Sequence, residues 1–130
     1  MPVNSLPASV KVTGAADGTA VDYLVNPLDG VGRVTGFTIM PNLAITANDT
    51  NYITITITKG ATTLATQTTQ ITGGAAMVIG TAIEMTLGAN GVGTALEIAS
   101  GGVIKVAITE AGTGPAFDFK VITKFTHIRQ

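Results

Sequence analysis

Asn51-Tyr52-Ile53-Thr54-Ile55-Thr56-Ile57-Thr58-Lys59 alternates apolar and polar residues without a break. Side chains of an extended strand point to opposite faces in turn, so Ile53, Ile55 and Ile57 share one face. Tyr52, Thr54, Thr56 and Thr58 share the other. β-Branched residues suit such a pleated surface, and period 2 rather than 3.6 marks a strand with one face in a core. Lys59-Gly60 ends the strand, and Ala61 to Thr69 reads as its return partner in a hairpin.

The same period recurs downstream. From Gly102 to Glu110, Ile104, Val106 and Ile108 alternate with Lys105, Ala107 and Thr109. From about Ala116 to Arg129, Phe117, Phe119, Val121 and Phe125 fall on one face, with Asp118, Lys120, Lys124 and Thr126 on the other. Three of the four Phe lie here, which makes this last strand the expected anchor of the core. Ala111-Gly112-Thr113-Gly114-Pro115 between these two strands suits a chain reversal. Weaker strands are predicted at Ser9–Val12, Ala20–Val25, Arg33–Met40, Ala76–Gly80 and Ala82–Leu87, and Leu43 to Asp49 reads as a loop or a short helical turn. Gly-containing stretches at 14–18, 26–32, 72–74 and 88–93 separate most of these segments. The pattern predicts an all-β chain: a single-domain antiparallel β-sandwich of about eight strands, jelly-roll-like, over residues 9–130.

Residues 1–8 are expected to stand apart as an extended N-terminal arm. Pro2 and Pro7 bracket the segment, favour extended backbone and remove ladder donors. Val3 and Leu6 have no adjoining strand pattern to bury them. Pro2, Val3, Asn4, Ser5 and Leu6 are therefore the candidate partner-binding residues.

Composition bounds the function. A chain of 130 residues is long enough for a real core. It has no Cys, so disulfides and thiolate metal sites are excluded. Charged residues are 12% of the chain, about half the usual share. With a net charge of -1 and dispersed basic residues, neither nucleic acid nor an anionic membrane is an expected partner. The longest uncharged stretch, Gly60 to Ile83, is crowded with Thr, Gln and Gly and does not read as a membrane span. No secretory signal is read at Met1-Pro2-Val3-Asn4-Ser5-Leu6, so the sequon Asn48-Asp49-Thr50 is taken as chance.

Catalytic patterns fail one by one. His127 is the single histidine; Ser5, Ser9 and Ser100 are the only serines, and none lies in a nucleophile-elbow motif. Asp17, Asp22, Asp29, Asp49, Glu84, Glu97, Glu110 and Asp118 are scattered as turn and surface acids would be. Asp17-Gly18 and Asp29-Gly30 are turn signals without the spacing of a calcium loop. Gly30-Val31-Gly32-Arg33-Val34-Thr35-Gly36 has one residue too many for a dinucleotide fingerprint and leads into a strand, and Gly91-Val92-Gly93 lacks a third glycine. The chain is therefore expected to be no enzyme and to need no cofactor and no metal.

Two stretches resemble small structural proteins of tailed phages. One is Leu43-Ala44-Ile45-Thr46-Ala47-Asn48-Asp49-Thr50-Asn51 leading into the alternating strand to Thr58. The other runs from Gly101-Gly102 through Val103-Ile104-Lys105-Val106-Ala107-Ile108-Thr109 to Gly114. Together they cover about a quarter of the chain. The resemblance implies a virion protein, most like a jelly-roll capsid decoration (cement) protein that binds the outside of the head and reinforces it. It further implies the major capsid protein as partner, self-association as a homotrimer, assembly in the host cytoplasm and final placement on the capsid surface. Alternatives are a tail or head-fibre component and a carbohydrate-binding sandwich, the latter with only Tyr23 and Tyr52, besides Phe, as stacking platforms.

Overall fold

The computed structural model describes residues 5–14, 20–27, 29–88 and 93–129. Among them, nine strands follow in order: β1 Ser5–Gly14, β2 Val21–Val25, β3 Val31–Pro41, β4 Tyr52–Lys59, β5 Thr62–Thr68, β6 Ile83–Met85, β7 Glu97–Ile98, β8 Val103–Ala111 and β9 Phe117–Arg129. A 3-10 turn, Gly93–Leu96, precedes β7. One sheet has the order β1-β9-β3-β6, with β7 also on β3; the other has the order β2-β8-β4-β5. Every pairing is antiparallel.

β6 and β7 lie along the same side of β3, opposite Phe37–Ile39 and Gly32–Arg33, and act as one interrupted strand. Counted so, the first strand pairs with the last, the second with the last but one, and so inward to the β4–β5 hairpin. This is one long antiparallel hairpin rolled into two sheets, which is a jelly roll. The hairpin tip is a two-residue turn in which Gly60 has φ 58° and Lys59 faces Thr62. That first central position is the one a type II′ turn reserves for glycine.

Burial follows the alternation. Ile53, Ile55 and Ile57 of β4, Ile104, Val106 and Ile108 of β8, and Phe117, Phe119, Val121 and Phe125 of β9 are all buried. Val34, Phe37 and Ile39 of β3, with Leu24, Leu64, Met77 and Met85, complete the core between the sheets. β9 lies between β1 and β3, so its phenylalanines sit at the middle of the packed layer.

Three expectations are corrected. Ser5 to Ala8 do not extend as an arm: they form rungs of β1, from Ser5 opposite Thr126 to Ala8 opposite Thr123. β1 is an edge strand, and an edge tolerates Pro7 because half of its N–H groups need no ladder partner. Residues 1–4, including Pro2, Val3 and Asn4, lie outside the described residues. Ala76–Gly80 is no strand; only Met77 is buried, through an isolated bridge to Ile45, while Val78 and Ile79 are exposed. β7 was not anticipated, since two residues carry no periodicity.

Candidate interaction surface

The two outward faces of the sandwich differ in charge. On the sheet β1-β9-β3-β6, Lys120 lies between Lys11 and Met40 across the register, and Ile122 lies between Ser9 and Thr38. Lys124 pairs with Glu84 at 3.8 Å, and Arg33 with Glu97 at 3.7 Å. Thr38 donates its hydroxyl to Glu84. The Lys124–Glu84 pair is solvent-exposed and contributes little stability, whereas Glu97 is mostly buried beside an exposed Arg33.

On the sheet β2-β8-β4-β5 the outward face is nearly free of charge. Directly opposed residues share a face, so Thr54, Thr56 and Thr58 of β4 stand beside Thr68, Thr66 and Thr63 of β5. On the other flank they stand beside Thr109, Ala107 and Lys105 of β8. β2 completes the rows with Val21 opposite Ala107, Tyr23 opposite Lys105 and Val25 opposite Val103. Among the described residues, Lys105 is the one charge in these rows. Val21 is 47% exposed, Tyr23 59%, Val25 48% and Val103 48%, which makes the β2 side of this face its apolar side. An open depression of about 280 Å³ lies there, lined by Tyr23, Thr58, Gly60, Val103 and Lys105. Scattered exposed apolar residues mean little, but four side by side on a charge-poor face suit contact with another surface.

The segment that carried one resemblance is a loop clamp. Asn48 Oδ1 accepts the N–H groups of Thr50 and Asn51, at 2.8 and 2.7 Å. Asp49 accepts the Thr72 N–H at 2.9 Å and its hydroxyl at 3.2 Å. Asn51 Oδ1 accepts the Thr113 N–H at 2.9 Å and its hydroxyl at 3.1 Å. Three connections at one end of the sandwich, β3–β4, β5–β6 and β8–β9, are thus tied together by side chains of the first of them. At the opposite end Asn26, buried, donates to the Ile98 carbonyl at 2.7 Å, and its backbone N–H donates to the Gly102 carbonyl.

The residues singled out for chemistry are dispersed. Ser9 is opposite Ile122, Ser5 is opposite Thr126, and Ser100 lies in the turn before β8, whereas His127 is opposite Gly32 near the end of β9. Among the described residues no three carboxylate or histidine side chains gather as metal ligands. Asp29-Gly30 is a turn, with Gly30 at φ 90°; Asp17-Gly18 lies outside the described residues. Of the candidate partner-binding residues, Ser5 and Leu6 are ladder residues opposite Thr126 and Phe125. Sequence reasoning missed Val21, Val25 and Val103 as a surface; the signal was Val21-Asp22-Tyr23-Leu24-Val25, where Leu24 alone is buried among three apolar neighbours on the alternate positions.

Comparison with models of known families, with curated proteins and with solved structures finds no match. The chain is an all-β sandwich with one charged and one nearly uncharged face, and no helix among the described residues is long and apolar enough to cross a membrane.

Proposed function

We propose that this chain is a structural assembly protein that docks through the Thr-lined face of β2, β8, β4 and β5. The observation that carries this reading is the charge asymmetry of the two faces. Interface centres are depleted in charge and enriched in aromatic residues, and Tyr23 stands on the face that has a single Lys. Thr hydroxyls can exchange water for a partner's polar groups without a large apolar patch.

The setting we propose is a tailed-phage virion, with the protein on the outside of the capsid, bound to the major capsid protein and reinforcing the shell. Support for the setting comes from the resemblance of residues 43–58 and 101–114. Phage particles assembled with and without the protein provide the test. Expected are added density at regular positions on the shell and a lower temperature of head rupture when the protein is absent. Density only on the tail or on fibres, or absence from particles, would sink the capsid placement.

A glycan-binding reading has one observation in its favour: Tyr23 is an exposed ring beside a depression bearing Thr58 and Lys105. A glycan array with wild type and Tyr23→Ala decides it, since binding lost in the variant is the only result that supports that reading.

A further inference from the structure

Each sheet of the sandwich has two edges, and three of the four are blunted. β1 carries Pro7, which has no N–H, and an exposed Lys11. The β6/β7 edge is broken into pieces of three and two residues. β5 is covered by the chain that follows it, where Leu87 bridges Ala65 and the Gly88 N–H donates to the Leu64 carbonyl at 2.8 Å. Such devices keep a strand edge from recruiting another strand. Among the described residues β2 is the least protected edge: it contains no proline, lysine or bulge, its one charge is Asp22, and β8 is its one ladder partner.

The direction of the β2 backbone groups follows from the ladder. Ile108 N–H donates to the Ala20 carbonyl at 3.0 Å, and Asn26 N–H to the Gly102 carbonyl at 3.0 Å. An antiparallel ladder alternates bonded and non-bonded pairs, so Ala20, Asp22, Leu24 and Asn26 turn their groups toward β8. Val21, Tyr23 and Val25 turn their N–H and C=O groups the other way. These same three residues expose their side chains.

We infer that two copies of this chain join by antiparallel pairing of their β2 edges around a two-fold axis at Tyr23. In that register Tyr23 faces its own counterpart, and Val21 of each copy faces Val25 of the other. Every outward N–H then meets a carbonyl, with two hydrogen bonds at each of three residue pairs. Val21 and Val25 stand at equal distances from Tyr23, which is the self-complementarity an isologous interface requires. Asp22 faces Leu24, so the one charge of the strand does not meet itself. The product is a continuous eight-stranded sheet with both Thr-lined faces on the same side. Two copies, rather than the three implied by resemblance, are what this edge accommodates. A five-residue ladder buries less than the roughly 800 Å² per partner of a standard interface, so the pair dissociates on dilution.

Sedimentation of the full chain over a concentration series tests this without any capsid, so head binding can fail while the inference stands, and the reverse. The mass is expected to rise from one chain to two with concentration. Tyr23→Glu sets like charges against each other at the axis, while within each chain it stands opposite Lys105, an opposite charge, so the β8 ladder is not weakened. It is expected to raise the dissociation constant roughly tenfold or more at an unchanged thermal midpoint. Tyr23→Pro removes only the outward donor and is expected to act in the same direction. Thr66→Lys, on β5 at the far side of the same face, is expected to leave the pair intact. A monomer at every concentration, a trimer mass, a dimer that survives Tyr23→Glu, or one that Thr66→Lys weakens equally would overturn the inference.

Discussion

Single polar side chains do two kinds of work, one at an end of the sandwich and one in its core. Asn51 Oδ1 holds Thr113 by two hydrogen bonds, and Gly112 beside it has φ 64°, with Asn51 Oδ1 where a Cβ would stand. Asn51→Ala removes the acceptor from both donors and is expected to cost about 1–2 kcal/mol, read from the urea midpoint. Thr123 is the opposite case. It is fully buried on β9 between the registers of Ala8 and Phe37, and its hydroxyl has no hydrogen-bond partner. Thr123→Val keeps the shape and deletes the stranded hydroxyl, so a gain of about 1 kcal/mol is expected in the same measurement. A loss would mean that the hydroxyl finds a partner in solution. Thr123 falls on the face that Phe117, Phe119, Val121 and Phe125 share, but its lack of a partner depends on two neighbouring strands and was not legible in the sequence.

At the scale of elements, strands with four or more alternating residues were read correctly because one face is buried along their whole length. β4, β8 and β9 are of this kind, and their inward rows match the pattern residue for residue. The failures have a common cause: pairing overrides local pattern. Residues 76–80 look apolar enough for a strand, yet only Met77 finds a bridge. Ser5 to Ala8 look like a tail because of Pro7, yet β9 supplies a ladder that needs few of their donors. Deleting residues 1–8, compared with deleting residues 1–4, is expected to lower the thermal midpoint by several degrees, about what 1–2 kcal/mol gives in a domain of this size. It also uncovers the edge of β9 from Thr123 to Thr126, while Ser9 to Gly14 still cover the rest, so the shorter chain should aggregate sooner on heating. Equal midpoints for the two truncations would show that these rungs carry no stability.

For the whole molecule, the asymmetry between faces is the property on which the proposed docking rests. It was half visible in the sequence. Thr54, Thr56 and Thr58 announced a polar outward row, but only the pairing of β2 with β8 sets Val21, Tyr23 and Val25 beside Val103 and Lys105. Thr56 lies near the middle of the uncharged face, between Ala107 and Thr66. Thr56→Lys is expected to change stability by no more than about 0.5 kcal/mol, while shell occupancy, measured on purified heads, falls sharply. Lys120→Glu on the charged face serves as the control and is expected to leave occupancy unchanged. If both variants bind alike, docking does not use the Thr-lined face.

The nesting of first strand with last also governs how fast this chain can find its fold. Ser5 waits for Thr126 and Val21 for Ala107, so most rungs join residues made far apart in time. Each such closure spends chain entropy before any contact repays it, which places the protein among slow, millisecond-to-second folders. Among the described residues, the β4–β5 hairpin, with its Gly60 turn, is the one local pairing from which zipping can begin.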